Sequence, residues 1–331
     1  MKVLVNKFLT LVICTSALAM LAAPAARAQF TSHLEERTLP VGAFSSVNVT
    51  DDFEVTLVKG AYSVRITTDR ALEPYVQVYV RSKVLYITYD QKSVPKDIQK
   101  AYKGKNAPEP VFRVVVYLPE LNGLEMSENA VVMATDEFNG NAFTLAMKDK
   151  AQLKNLNIRV QSASLSLKEK SQAIVNVDAV GKVEANLEGN TGIKLNVHAA
   201  ELAVSASGSS NLTISGDSKD FALTTSGSSK VSVSQAGEKA SFQLGGSSEV
   251  NASGRADVFT LKSEKNCTLN AGDYVNREVT AVMTDGKAHI NVTETLKVTL
   301  SGGSELYYNG TPAILVEKVI KSTLAPEGTK K

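Results

Sequence analysis

Ser207-Gly208-Ser209-Ser210 is followed 19 residues later by Ser226-Gly227-Ser228-Ser229, and 19 after that by Gly245-Gly246-Ser247-Ser248. Each copy lies between two runs in which apolar residues alternate with polar ones. Leu202, Val204 and Ala206 precede the first copy, and Leu212 and Ile214 follow it. Phe221 and Leu223 precede the second, with Val231 and Val233 after it. Phe242 and Leu244 precede the third, then come Val250 and Ala252. Alternation is the pattern of a strand with one buried face. A strand, a small polar corner and another strand, repeated at a fixed period, is the pattern of a solenoid.

The period extends beyond these three copies. Taking corner starts as anchors gives Ser127, Lys148, Lys168, Glu188, Ser207, Ser226, Gly245, Ser263, Thr284 and Ser301, spaced 17 to 21 residues apart. Thr50-Asp51-Asp52, between Val47-Val49 and Phe53-Val55-Leu57, is a corner of the same kind. An antiparallel sandwich is the alternative. It calls for tight reversals of the Asn-Gly or Asp-Gly type, whereas these corners are Ser-Gly-Ser-Ser or charged. The reading adopted is therefore all-β, a parallel β-helix with about 19–20 residues per rung, stacked at about 4.8 Å into a rod of roughly 45–50 Å. Small corner residues let successive rungs approach closely.

Residues 1–28 read as a secretory signal. Lys2 and Lys7 are followed by an apolar run from Phe8 to Ala23 and an Ala26-Arg27-Ala28 cleavage site. Cys14 lacks the small preceding residue that a lipid-modified cysteine needs, so a soluble exported protein is expected. Cys267 is then the one remaining cysteine, which leaves no intrachain disulfide. The formal charge of +2 and the lack of a Lys/Arg cluster argue against nucleic acid as a partner.

Three interruptions stand out. Residues 29–42 read as a loose polar leader. Residues 91–110 break the alternation and gather Lys92, Lys96, Lys100, Lys103 and Lys105 among three prolines, with a helical turn expected near Asp97–Ala101. This stretch reads as a mobile basic insertion adding little stability, with Lys96, Lys100, Tyr102, Lys103 and Lys105 as candidate partner-binding residues. Tyr307-Tyr308-Asn309-Gly310-Thr311-Pro312 reads as the terminator of the coil, and residues 316–331 as a polar C-terminal tail.

Several of these phrases together resemble a known family. They are Phe44-Ser45-Ser46-Val47, Val114-Val115-Val116-Tyr117-Leu118-Pro119-Glu120-Leu121, the repeated Ser-Gly-Ser-Ser corners and the ending Ser301-Gly302-Gly303-Ser304-Glu305-Leu306-Tyr307-Tyr308-Asn309-Gly310-Thr311-Pro312. They resemble the putative auto-transporter adhesin, head GIN domain, over about residues 43 to 315. The resemblance implies a right-handed parallel β-helix exported by a bacterium with two membranes, to the periplasm or the outer surface. It brings no catalytic residues.

The chemistry-bearing residues are sparse. His33, His198 and His289 are too far apart in sequence to share a metal. Cys267 has no neighbouring histidine to activate it and reads as a small packed thiol. The adjacent acids Glu35-Glu36 and Asp51-Asp52 fit a solvated edge and a corner. Ser207, Ser226 and Ser247 offer hydroxyls to a glycan or are small because neighbouring rungs crowd them. Tryptophan is absent, leaving Tyr79 and Tyr102 for sugar stacking. No cofactor is expected. The expectation is a non-enzymatic envelope protein presenting a rigid surface to polysaccharide or to a cell-surface protein. A β-helical lyase or hydrolase, and a spacer without a ligand, are the alternatives.

Overall fold

The computed structural model describes residues 33–328. The charged start, apolar run and cleavage site read at residues 1–28 lie outside them. The described chain is a β-solenoid of about 11 turns. Each turn supplies one strand to each of two parallel ladders. Tracing one inward column shows how regular the first ladder is: Leu165 pairs with Ala185, then come Val204, Leu223, Phe242, Leu261, Ala281 and Val298. All of these are buried. The second ladder runs beside it through Val175, Leu195, Ile214, Val233 and Ala252. Phe221, Phe242, Phe259 and Tyr274 fill the space between the ladders, with ring centroids 5.0–5.8 Å apart along the series and edge-on packing throughout.

The corner between the ladders explains the repeat. Its second residue is left-handed in turn after turn: Asp51, Glu128, Asp149, Glu169, Gly189, Gly208, Gly227, Gly246, Lys265, Asp285 and Gly302 all have positive φ. From Glu128 to Gly227 its carbonyl accepts the amide of the third corner residue of the next turn, as in Ser209 N to Gly189 O and Ser228 N to Gly208 O, both 2.7 Å. The fourth corner residue turns inward. Ser210, Ser229 and Ser248 are buried, and each hydroxyl donates to the carbonyl three residues back, at 2.8–3.0 Å. Where the position carries a hydroxyl this bond satisfies it, since a buried hydroxyl without a partner is costly. In the turns of Asp51, Glu128 and Asp149 the same place is filled by buried Phe53, Ala130 and Ala151.

This geometry relocates one corner. Leu244 pairs with Ser263, so Ser263 is still in the strand and the corner is Glu264-Lys265-Asn266-Cys267. Cys267 therefore occupies the place of Ser248. Its thiol is buried, donates to Glu264 O at 3.3 Å, and lies 3.0 Å from the Ser263 hydroxyl.

The ends differ from the sequence expectation. The stretch read as a loose leader contains the strand Leu34–Leu39, antiparallel to Ser63–Asp69, which is itself antiparallel to Phe112–Leu118. The hairpin Val76–Arg81 and Val84–Tyr89 begins the other ladder. Alternation alone does not reveal strand direction, so these reversals carried no signal. At the other end, Pro312 sits in a connection and does not terminate the coil. The ladders continue through Ala313–Val319 and Thr323–Pro326.

Candidate functional site

Outward positions of the second ladder form two columns of polar side chains, most of them small. One reads Lys194, Thr213, Ser232, Asn251, Asn270, His289 and Tyr307. The other reads Asn157, Asn176, Asn196, Ser215, Ser234 and Ser253. Neighbouring amides bond along the columns: Asn176 Nδ2 donates to Asn157 Oδ1 at 2.7 Å, and Asn270 Nδ2 donates to Asn251 Oδ1 at 2.8 Å. Because each amide carries more donor and acceptor sites than one such bond uses, the columns keep spare hydrogen-bonding capacity facing outward.

Short side chains leave this face hollow. A depression of about 550 Å³ is floored by Ser215, Ser232, Ser234 and Asn251, and closed at one end by Asp273, Asn309 and Glu327. A second depression, of about 450 Å³, adjoins it at Thr213 and extends toward Lys194, Lys154 and Gln152. The register slips between Asn251 and Ser253 against Asn270 and Asp273, an extra residue that raises the groove wall.

The groove ends in a charged aromatic cluster. His289 and Tyr307 stack with centroids 5.1 Å apart and planes 19° apart, and Lys287 Nζ lies 5.3 Å from the Tyr307 ring. His289 Nδ1 is 3.4 Å from Glu327 Oε1, and the Tyr307 hydroxyl donates to Glu305 at 3.2 Å. Burial, and then the Glu305 carboxylate, raise the Tyr307 pKa. Along the opposite rim runs a ladder of alternating charge, Glu137, Arg159 and Asp178, with His198 and Asp217 paired in the next two turns. The two strand histidines are thus five turns apart. Among the described residues, no group of three or more His, Cys, Asp or Glu is placed to hold a metal.

The residues singled out in residues 91–110 are dispersed over a packed cap. The stretch replaces the four-residue corner between Val84–Tyr89 and Phe112–Leu118, and it carries the helix Lys96–Ala101. It is bound to the body, unlike the mobile loop expected. Val94 is buried, and Ile98 and Tyr102 pack on the core. Burial, and then the Asp69 carboxylate that the hydroxyl meets, push the Tyr102 pKa up to about 12. Asp69 is itself buried and accepts the Val111 amide at 3.1 Å, so Tyr102 locks the cap onto the first turns. Lys96, Lys100, Lys103 and Lys105 are exposed on its outside. Tyr79, the other tyrosine considered for sugar stacking, already stacks on Tyr86 at 5.1 Å. The corner hydroxyls divide. Of the three considered for a glycan, Ser226 and Ser247 face solvent, while Ser207 is half-buried and donates to Leu187 O at 3.2 Å. The inward Ser210, Ser229 and Ser248 are consumed by the corner itself. The groove residues were missed as a group, although Thr213, Ser232, Asn251 and Asn270 recur every 19 residues.

The model of the family described as "Putative auto-transporter adhesin, head GIN domain" matches residues 43–184 and again 183–312. The chain belongs to this family. The two matched segments of the head GIN domain meet inside the strand Lys182–Gly189, where the ladder runs unbroken from Ala163 through Val183 to Leu202. A crystal structure described as a putative adhesin from Parabacteroides merdae is similar at 18% identity, with TM-score 0.38 and 88% of this chain and 95% of that chain covered. One so described from Bacteroides fragilis is similar at 16% identity, TM-score 0.32, over 89% and 98% of the two chains. A third, from Parabacteroides distasonis, is described as a putative lipid binding protein and is similar at 15% identity, TM-score 0.32, over 88% and 96%. No curated protein matches the chain. Among the described residues, no helix is long and apolar enough to cross a membrane.

Proposed function

We propose that this head GIN protein is an exported, non-enzymatic binding module of the cell envelope. In this reading its second ladder takes up polysaccharide along the groove between Gln152 and Asn309. The observation that supports it most is the pair of outward Asn, Ser and Thr columns. An extended polymer lying across the rungs meets the same donors and acceptors at each step, and many weak contacts on a rigid support add without an ordering cost in the protein. The adhesin description of the family is in keeping with surface binding. The exposed Lys96, Lys100, Lys103 and Lys105 supply a separate, salt-dependent attraction for anionic chains or for a cell-surface protein at the capped end.

The test is binding of the processed protein to a panel of host, plant and bacterial polysaccharides, with Ser232→Arg and Asn251→Leu as groove-filling variants. The expected result is loss of binding in both, with an unchanged melting temperature. Binding that survives both variants would refute the groove assignment. Release of sugar from any polysaccharide would refute the non-enzymatic reading. Export to the periplasm or outer surface predicts a mature chain beginning at Gln29, which mass spectrometry of the isolated protein reads directly.

A further inference from the structure

We infer that the C-terminal end of the coil is a self-association surface, and that two copies join there through antiparallel pairing of their Ala313–Val319 strands. The solenoid protects its other ends. The strand Leu34–Leu39 carries Glu35, Glu36 and Arg37, with ion pairs to Arg70, Arg65 and Glu73. Thr323–Pro326 ends on a proline opposite Tyr308. Charges and prolines are the usual means of keeping an exposed edge from pairing. Ala313–Val319 has neither in its first half. It pairs with residues 295–300 on one side, and among the described residues no strand pairs with its other side.

This strand also leaves the core open. Leu296, Val298 and Leu300 are fully buried, and their partners Ile314, Val316 and Val319 extend the same inward columns by one turn. There they remain 38%, 56% and 38% exposed, beside Leu315 at 55% and Ile320 at 47%. A repeat protein whose last turn is apolar needs a cover.

The sequence of the strand selects its own copy as that cover. If Glu317 of one copy faces Lys318 of the other, an antiparallel pair also sets Val316 against Val319 and Leu315 against Ile320. In that register the inward Val316 meets the inward Val319, since these follow the buried partners Val298 and Leu300, while Lys318 follows the outward Thr299. Sliding by one residue either way opposes Glu317 to Glu317 or Lys318 to Lys318, and it sets inward residues against outward ones. Among the described residues Glu317 pairs with Lys297 at 2.8 Å, and no ion pair forms at Lys318. The interface is isologous, so each unlike pair occurs twice.

The experiment is sedimentation velocity on the processed full chain at tens of micromolar. The wild type is expected to be a dimer. Glu317→Lys and Lys318→Glu each oppose like charges twice and are each expected to be monomeric, with self-association weakened about tenfold or more. Mixing the two variants restores Lys–Glu pairs at both positions, so a heterodimer is expected from two monomers. Thermal melts of each variant, unchanged from wild type, separate this result from unfolding. A monomeric wild type would overturn the inference and leave the edge to another partner. So would a dimer indifferent to both substitutions, a mixture that stays monomeric, or assembly into longer fibres.

Discussion

Replacing Gly227 with alanine tests the account of the corner at its tightest point. Gly227 has φ +72°, and a Cβ there would lie 2.4 Å from Gly208 O and 2.9 Å from Gly208 N. Two costs add. The left-handed backbone costs a residue with a Cβ about 1–2 kcal/mol. The Gly208 carbonyl cannot stay where it is, yet it accepts Ser228 N at 2.7 Å, and Gly227 O accepts Ser247 N at the same distance. Losing one or two such bonds costs about 1–2 kcal/mol, at about 1 kcal/mol each. The expected total is about 2–4 kcal/mol. Gly303→Ala is the control, since Gly303 has φ +92° with no atom within 4 Å of its Cβ position. It should cost the backbone contribution alone, about 1–2 kcal/mol. Urea unfolding followed by far-UV circular dichroism gives both values. Equal losses for the two variants would refute the idea that stacked corner carbonyls set the requirement for glycine.

At the equivalent inward corner position, Cys267→Ser should change stability by less than about 1 kcal/mol, because the hydroxyl can reach Glu264 O as Ser248 reaches Gly245 O. Val233→Asp, by contrast, buries an unpaired carboxylate in the apolar column and should cost several kcal/mol in the same measurement. Tyr102→Phe removes the hydroxyl that meets buried Asp69 and should cost about 1–3 kcal/mol, loosening the cap to hydrogen exchange. Changing Lys96, Lys100, Lys103 and Lys105 together to alanine should leave the melt intact and abolish salt-sensitive binding to anionic glycans. Alkaline pH should destabilise the fold. The pKa values of Tyr89, Tyr102 and Tyr274 are pushed up to about 12, chiefly by burial. Folding thus favours their protonated forms. That stabilisation is complete below about pH 10 and is lost as pH rises through about 12, so Tyr274→Phe should flatten the fall in melting temperature over that window.

The period was legible because the corner is a strict local requirement repeated in every turn. A left-handed-tolerant residue, then a polar one, then, in the turns from Ser171 to Ser248, a buried Ser or Thr leave a mark that alternation on either side reinforces. Ser263 was misplaced for the same reason that the other corners were found: serine looks like a corner residue, and nothing in the chain marks Lys265 as left-handed. The N-terminal strands escaped because Val64 and Ile66 alternate alike in parallel and antiparallel pairing. The cap escaped because its anchors, Val94 and Tyr102, are single apolar groups among lysines and prolines. The groove is a property of which outward side chains are short. Hydropathy does not distinguish Ser232 from any other exposed polar residue, although its spacing from Thr213 and Asn251 does.

Each left-handed corner from Glu128 to Gly227 hands its carbonyl to the next turn and asks nothing of turns further away. A length of 19 residues can therefore be duplicated or lost without inventing a new interface. The polar columns lengthen or shorten by one hydroxyl or amide apiece when that happens. On the proposed reading of the groove, reach along a bound polymer is a quantity that inheritance adjusts in whole steps, while the chemistry of each step stays fixed.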